Sequence, residues 1–161
     1  MPVDFFLKID KIEGESKDHK HAGEIDVDSW SWGATQPGAH AAGGGGGAGK
    51  VAMQDFHFTM KMNKSSPKLM LLVASGEHIP KAVLTCRKAG KDQQEYMKVT
   101  MTDLLVSSYQ AGGSASSEVL PVDQVSLNFA KIEVEYKEQQ KDGTLGAAVK
   151  AGYDLKAMKS V

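Results

Sequence analysis

The stretch that decides the fold is residues 122–137, VDQVSLNFAKIEVEYK. Its large apolar residues stand at every second position, but their parity changes part-way: Val125, Leu127 and Phe129, then Ile132, Val134 and Tyr136. Alternation of this kind predicts a β-strand with one buried face. A strand that changes its buried parity contains a bulge or a bend, and such a feature curves the sheet to which the strand belongs.

The same change of parity occurs at two other places in the chain. Trp30 and Trp32 follow Ile25 and Val27 on the opposite parity. After Val51 and Met53, the apolar positions again move to the other parity: Phe56, Phe58, Met60 and Met62. Three such changes predict a mainly β fold, a closed antiparallel β-barrel, because the strands of a closed sheet have to coil.

The remaining periodic segments predict further strands at 3–9, 25–28, 82–88, 94–102, 104–109 and 149–156. Turn-forming residues at 89–92 and 141–143 predict hairpins between neighbouring strands. The 161-residue chain shows no repeat and no break in composition, so a single domain over residues 1–161 is expected.

One short α-helix is predicted between Ser66 and Gly76. Ser66 suits the N-cap, Pro67 the first helical position, and Gly76 the C-terminal stop. The apolar residues between them form one narrow stripe: Leu69, Leu72 and Val73. A helix with a stripe of this width buries one face against the sheet.

A long extended loop is predicted where the chain is richest in glycine. The run consists of Gly43, Gly44, Gly45, Gly46, Gly47, Ala48, Gly49 and Lys50. Its last seven residues match G-x-x-x-x-G-K, but Val51 stands where a phosphate-binding loop needs Ser or Thr, and a strand follows instead of a helix. We therefore interpret the run as an exposed arm that becomes ordered on contact with another molecule.

Composition limits the possible partners and the compartment. A formal net charge of -1 provides no basic surface for nucleic acid or for an anionic membrane. The single cysteine, Cys86, excludes an internal disulfide and fits a reducing compartment. The first residues lack the pattern of a signal peptide and no apolar run is long enough to span a membrane, so the expected location is the cytoplasm.

The sequence gives only weak indications of catalytic or metal-binding residues. His19 and His21 stand in a polar loop without a second ligand pair at zinc-like spacing, and Cys86 shares a strand parity with Ala82 and Leu84, which predicts a buried apolar role. Two sets of carboxylates alternate along strands, at 24–28 and at 133–135, and are interpreted as solvated strand faces. No enzyme motif is present, and no metal or cofactor is expected.

Trp30 and Trp32 leave two interpretations open. They fill the interior of the barrel beside Phe56 and Phe58, or they form a stacking platform in a carbohydrate- or peptide-binding module. Core filling is the more common role for such residues. A further alternative, ranked lowest, is a small hydrolase that uses a pair of carboxylates on one strand.

Taken together, these motifs resemble the Hcp (haemolysin-coregulated protein) family, the tube-forming proteins of bacterial type VI secretion systems. The resemblance runs nearly end to end. It rests on the following segments: 4–9 (DFFLKI), 14–18 (GESKD), 25–27 (IDV), 30–33 (WSWG), the glycine arm into Lys50 and Val51, 63–69 (NKSSPKL), 87–90 (RKAG), 105–108 (LVSS), 126–129 (SLNF) and 152–154 (GYD). Asn63 departs from the family pattern, where Asp is common.

The resemblance implies a structural role rather than catalysis. Members of the family form hexameric rings that stack into a tube, and the loop that corresponds here to residues 36–50 meets the next subunit or ring. The loop around Ser114 corresponds to the segment beside the bore, where small effector proteins are held. The other implied partners are the spike protein and the contractile sheath, and the implied location is the bacterial cytoplasm followed by export through the apparatus.

Overall fold

The computed structural model describes residues 3–37, 50–88 and 93–161. The described part of the chain is mainly β with one short helix, as predicted. Its elements are β1 (Val3–Ile9), β2 (Ile25–Val27), β3 (Ser29–Ser31), β4 (Ala34–Thr35), β5 (Ala52–Met53), β6 (Phe56–Lys61), α1 (Ser66–Ser75), β7 (Ile79–Lys88), β8 (Glu95–Gly112), β9 (Val122–Gln139), β10 (Leu145–Asp154) and β11 (Lys159–Ser160).

The centre of the fold is the long antiparallel hairpin of β8 and β9. These strands pair from Met97 opposite Tyr136 to Gly112 opposite Val122. On the β8 side the sheet continues through β7 and β1 to β2. On the β9 side it divides, because the first half of β9 pairs with β6, and β6 in turn with β3, whereas the second half pairs with β10. Strands β4 and β5 form a separate two-stranded sheet.

The predicted closure of the sheet into a barrel is not confirmed. Strand β2 pairs with β1, and β3 pairs with β6, which lies on the far side of the β8–β9 hairpin. Only Asp28 separates β2 from β3 along the chain. The chain thus crosses between the two ends of the sheet, but the strand ladder is interrupted at Asp28 and is not continuous around a ring.

The change of buried parity that the sequence predicts in β9 is confirmed. Phe129 and Ile132 are both buried, and residues 130 and 131 between them carry the change. Its partner β8 changes at the same level, between Met101 and Leu104. Of the two residues between them, Asp103 has a left-handed backbone with φ of 50°. The two short strands predicted at 94–102 and 104–109 are therefore one strand, because pairing with β9 continues on both sides of Asp103.

Helix α1 lies against the sheet with its N-terminus one residue earlier than predicted. The N-cap is Ser65, and Ser66 is the first helical residue. The hydroxyl of Ser66 donates to the Oδ2 of Asp123 at 2.5 Å and accepts from the N–H of Asn63 at 3.0 Å, so it ties the start of the helix to the sheet. The predicted stop is confirmed, since Gly76 adopts a left-handed φ of 66° and its N–H donates to the carbonyl of Leu72.

Two other boundaries differ from the prediction. The strand expected from Val51 to Met60 is divided, because β5 pairs with β4 whereas β6 pairs with β3 and β9. Asp55, between the two parts, accepts hydrogen bonds from Ser107 and Asn128 at 2.7 and 2.9 Å. Strand β10 begins at Leu145, four residues before its predicted start at Val149. The first residues of β10 are mostly small and do not alternate between apolar and polar, so the sequence pattern does not show that the strand has begun.

Candidate interaction surface

Strand β10 is uncovered on both of its faces. Residues 147–151 are all exposed, and Val149 is 71% exposed. Its cross-strand neighbour on β9, Tyr136, is 49% exposed, and Met97 on β8 continues the same row. We call this row of Met97, Tyr136 and Val149 the β10 surface. Monomeric proteins normally cover or charge such an edge, so an apolar row at this position indicates an interaction surface.

Charged side chains occupy the neighbouring row of the same strands. Lys98, Glu135 and Lys150 stand opposite one another across β8, β9 and β10. The Nζ of Lys150 lies 3.8 Å from a carboxylate oxygen of Glu135, and that of Lys137 lies 4.0 Å from the other. Glu135, one of the carboxylates predicted to lie on a solvated strand face, is thus flanked by lysines of the same chain. Glu135 and the two lysines form a surface ion-pair network that contributes little net free energy.

A second apolar surface lies at the opposite end of the hairpin, where β8 turns into β9. Val119 and Leu120 in this turn are each 60% exposed. Val122 and Met62 are also exposed, and the Met62 N–H donates to the carbonyl of Pro121 at 2.8 Å. We call Met62, Val119, Leu120 and Val122 the hairpin-loop surface. Glu118 is the one charged residue in the connection 113–121.

Ser114, predicted to contact cargo, lies in the same hairpin connection. It is exposed, its Oγ lies 2.9 Å from the Oγ of Ser116, and its carbonyl accepts from the N–H of Ser117 at 3.1 Å. Gly113 beside it has no room for a side chain without moving Pro121, since an added Cβ would lie 3.1 Å from the proline ring. The connection is therefore an ordered turn, with its serines facing outward.

The predicted assembly arm falls mostly outside the described residues, which include Lys50 but not Gly43 to Gly49. Lys50 is exposed. The segments on either side of the arm pair with each other: Ala34 lies opposite Met53, and Thr35 opposite Ala52. This two-stranded ribbon brings the two ends of the arm side by side.

A polar groove of about 630 Å³ crosses the outer face of β3, β6, β9 and β8. Two cross-strand rows line it: Ser29, Thr59, Gln124 and Gln110, then Ser31, His57, Ser126 and Ser108. The Nδ1 of His57 lies 2.6 Å from the Oγ of Ser126. The nearby carboxylate of Asp55 bonds to Ser107 and Asn128 instead, so these contacts do not form a Ser-His-Asp triad.

The tryptophans pack against the core, with part of each side chain still exposed. The Trp30 indole stacks on Phe56 with ring centroids 6.1 Å apart and meets the edge of Phe5 at the same distance. Both Trp30 and Trp32 are partly buried against the core. Because the face of the Trp30 ring is used inside the protein, the sugar-stacking interpretation loses its principal residue.

Cys86 is fully buried, as are Ala82 and Leu84 on the same parity, which confirms the predicted apolar role. Burial raises the pKa of the Cys86 thiol to about 12, so the reactive thiolate is disfavoured. The neighbouring Arg87 points to the other face of β7, because successive residues of a strand alternate between its two faces.

Arg87 forms the centre of a buried cluster that periodicity alone does not predict. Its Nη2 donates to Asp4 at 3.1 Å and to Asp18 at 2.7 Å, and its guanidinium lies 4.7 Å from the centroid of the Phe6 ring. These hydrogen bonds hold the pKa of Asp18 well below its usual range. The imidazole of His21 stacks on Phe6 at 4.4 Å.

The polar loop that contains His19 and His21 is thereby tied to the sheet. His21 is buried, with Nδ1 2.9 Å from Glu24 and Nε2 2.8 Å from Glu95 on β8. Both ring nitrogens are therefore engaged in contacts that hold the loop against β8. Among the described residues, no group of three His, Cys, Asp or Glu side chains is placed to hold a metal ion. Nor does the described chain contain a helix long and apolar enough to cross a membrane.

Comparison with known proteins identifies the family. The model of the family "Type VI secretion system effector, Hcp" matches residues 6–136. Protein hcp1 of Pseudomonas aeruginosa is 49% identical over 158 residues, which cover 97% of each chain. The crystal structure of Hcp1 from Salmonella typhimurium aligns over 100% of both chains with a TM-score of 0.82 and 38% identity. A structure described as a type six secretion system protein aligns over 99% of this chain and 100% of its own, with a TM-score of 0.93 and 28% identity.

The matched segment includes Phe6, Asp18 and Arg87 of the buried cluster, whereas Asp4 lies just before it. It also includes the whole β8–β9 hairpin connection. The chain therefore belongs to the Hcp family of type VI secretion system effectors.

Proposed function

We propose that this protein is the structural subunit of a type VI secretion inner tube. Six copies close into a ring, rings stack into a tube, and small effector proteins travel in the bore. The observation that carries the proposal is the exposure of residues 147–151 on both faces of β10, with the apolar Val149 in the middle. Membership of the Hcp family supports it.

The geometry of such an assembly requires two kinds of contact. A ring closes by rotation through a heterologous contact, and stacking is a second heterologous contact that does not close and can therefore continue. Obligate interfaces bury on the order of 2,000 Å² or more in total, which demands apolar surface. Among the described residues, the β10 surface and the hairpin-loop surface are two apolar surfaces of the sheet that suit this purpose.

The contact between rings is assigned to the arm at residues 36–50, including Gly43 to Lys50. Support comes from the pairing of β4 with β5, which holds the two ends of this segment together so that it leaves and re-enters the domain at one place. The contact with cargo is assigned to Ser114, whose exposed turn carries a row of small hydroxyl side chains. Small neutral side chains suit weak and reversible contacts with different passengers.

The remaining parts of the proposal follow from the same role. The chain is a single domain whose sheet curls toward a barrel, since only Asp28 separates the strand on β1 from the strand on β6. It acts without catalysis and without a cofactor. It is made in the bacterial cytoplasm, engages the spike protein and the contractile sheath, and leaves the cell through the apparatus.

Sedimentation velocity of the purified protein tests the proposal. The expected result is a discrete species of six times 17.3 kDa, seen as rings by negative-stain electron microscopy. A protein that remains at 17.3 kDa at concentrations of tens of micromolar and above would exclude the ring.

A further inference from the structure

We propose that His21 acts as a pH-sensitive switch for the loop between β1 and β2, residues 10–24. With a proton on each ring nitrogen, the imidazole holds this loop against β8, and loss of one proton loosens the loop. We call His21, Glu24 and Glu95 the His21 clamp. All three residues belong to one chain, so the inference does not depend on the proposed assembly.

The two contacts of the ring require two donated protons. Nδ1 lies 2.9 Å from a carboxylate oxygen of Glu24, and Nε2 lies 2.8 Å from a carboxylate oxygen of Glu95. An ionised carboxylate only accepts hydrogen bonds, and a neutral imidazole has a single N–H. The imidazolium donates to both carboxylates at once. In a neutral ring, by contrast, the lone pair of one nitrogen would face a carboxylate oxygen, and that contact would be repulsive.

Burial makes the loss of either contact costly. His21 is buried, and its ring lies nearly parallel to that of Phe6, with the two planes 6° apart. The side chain of Glu24 is 13% exposed and that of Glu95 is 29% exposed. Hydrogen bonds between charged groups with so little access to water are strong, and a buried acceptor left without a donor costs free energy. The protonation of one ring therefore affects how firmly the loop is held.

The charged groups around the clamp favour the protonated ring. They come from every element packed about it: Asp18, His19, Lys20 and Glu24 from the loop, Asp4 from β1, Asp26 from β2, Arg87 from β7, and Glu95 and Lys98 from β8. Arg87 is bound by Asp4 and Asp18 instead of the clamp carboxylates. Among the described residues, Lys98 is the one other cation within 4 Å of a clamp carboxylate, 3.9 Å from Glu95, and it is about half exposed. Two carboxylates that face one ring favour its charged form.

Backbone hydrogen bonds within the loop report whether it is closed. The N–H of Gly14 donates to the carbonyl of Gly23 at 2.7 Å. The N–H of Gly23 donates to Ser16, and the N–H of Ser16 donates to Glu24, both at 3.0 Å. These bonds join the two sides of the loop. Opening the loop exposes their amides to water, so the hydrogen exchange of these amides measures the opening.

The direction of the pH effect follows from the number of bound protons. When the loop opens, His21 meets water as an ordinary histidine, which loses its proton at about pH 6.5. Above that pH the closed clamp binds one more proton than the open loop. The free energy that favours closing therefore falls as the pH rises, and the loop should open more often in alkaline than in mildly acidic solution.

Hydrogen exchange of the full chain, followed by mass spectrometry at about pH 6 and about pH 8.5, tests the switch. After correction for the intrinsic exchange rate at each pH, the loop amides of wild type are expected to open about tenfold more often at the higher pH. That is the effect of one extra bound proton over one pH unit. The amides of the buried strand β7 should not change and serve as the internal reference.

Two variants distinguish a switch from a purely structural contact. His21→Gln has no titrating ring and should lose the pH dependence. Glu95→Gln is the more specific variant, because its amide can donate to Nε2 of a neutral ring, so the contact no longer needs the second proton. Its loop should remain protected at about pH 8.5, better than in wild type. A contact with a purely structural role would instead be weakened at both pH values.

His78→Gln is the matched control. His78 also contacts a carboxylate, that of Asp103 at 2.8 Å, but through one nitrogen and at an exposed site. This variant should keep the wild-type pH dependence of the loop. If His21→Gln does not fold, the comparison of wild type, Glu95→Gln and His78→Gln still decides the question.

Three results would overturn the proposal. The first is equal opening of the wild-type loop at the two pH values. The second is a wild-type pH dependence that persists in His21→Gln or in Glu95→Gln. The third comes from solid-state NMR of protein labelled with ¹⁵N-histidine, in which the His21 signal is assigned by its absence from His21→Gln. Both ring nitrogens should carry a proton at about pH 7, and a ring with a single proton would contradict the switch while leaving the proposed function untouched.

Discussion

Arg87 shows how a single residue can order a long loop. Its guanidinium is buried and joins Asp4 on β1 to Asp18 in the loop between β1 and β2. The loop also covers Phe6, which would otherwise be an exposed aromatic ring on the outer face of β1. The GESKD and RKAG segments, which contributed to the family resemblance, supply two of the residues in this cluster.

The ion pair makes stability depend on acid pH. Arg87 holds the pKa of Asp18 below its usual range, so the folded state favours the carboxylate. The stabilisation is present above the unfolded pKa of about 3.9 and is lost as the pH falls toward the lower folded pKa. We expect Asp18→Asn to be less stable than wild type at pH 7 and the difference to shrink at pH 3. Urea unfolding at the two pH values measures it.

The matched control is the same substitution in an Arg87→Met background. Without the guanidinium, the pH dependence of the Asp18→Asn effect should largely disappear. If wild type and Asp18→Asn differ in free energy of unfolding by the same amount at pH 7 and at pH 3, Asp18 does not act through this ion pair.

At the scale of the element, Asp103 determines how β8 bends. Its φ of 50° lies in the left-handed region, which Asp and Asn tolerate better than other side chains. Its carboxylate also accepts from the Nδ1 of His78 at 2.8 Å and from the Nζ of Lys156. The residue thus combines a tolerated backbone conformation with contacts to the segment between α1 and β7 and to the turn after β10.

Substitutions at Asp103 should separate these two contributions. Asp103→Ala loses both and is expected to cost about 1–2 kcal/mol through the backbone alone. Asp103→Gly loses the exposed hydrogen bonds but relieves the backbone, so it should be more stable than the alanine variant. Thermal unfolding compares the stability of wild type and the two variants. If the alanine variant is as stable as the glycine variant or more so, the backbone argument is wrong.

The attachment of α1 to the sheet depends on Ser66. Its hydroxyl donates to Asp123, which is fully buried and whose other carboxylate oxygen has no hydrogen-bond partner among the described residues. Ser66→Ala leaves this carboxylate without that donor and is expected to lower the free energy of unfolding by about 1–3 kcal/mol. Chemical denaturation measures the change.

Ser75 provides the control at the other end of the same helix. Its hydroxyl is exposed and makes a 3.4 Å contact with the carbonyl of Leu72, so Ser75→Ala should change stability by less than about 0.5 kcal/mol. If both variants lose the same free energy, the buried bond to Asp123 is not the cause.

These elements also show what the sequence could predict. The parity change in β9 is visible because apolar residues record which face of a strand is buried, and Phe129 and Ile132 are placed as expected. The helix start was misplaced by one residue because Ser66 bonds to Asp123, 57 positions away, and local patterns contain no such information. For the same reason, periodicity did not reveal the partners of Arg87 or the burial of His21.

At the scale of the whole molecule, the domain combines a closely packed centre with ends that remain apolar and uncovered. Residues such as Leu84, Val99 and Leu127 are fully buried in the central part of the sheet. The ends of the β8–β9 hairpin are not covered by any described part of the chain. The sequence predicted the family and the β-rich fold, but the two surfaces were not predicted because exposure depends on which strands end the sheet.

The division between domain and arm leads to the last prediction. Deleting residues 43–47 should leave the domain and the ring intact, because β4 and β5 pair on the domain side of the arm and the five deleted residues are all glycines, which have no side chain to bury. It should weaken the contact between rings, which we assign to this arm. Thermal unfolding should therefore be nearly unchanged, while tubes seen by negative stain at high concentration become shorter or are lost. A control variant with five serines in place of residues 43–47 keeps the length of the arm. It tests whether length without the glycines is enough for rings to stack. Unchanged tubes after the deletion, or a large fall in thermal stability, would contradict the assignment of the arm to stacking.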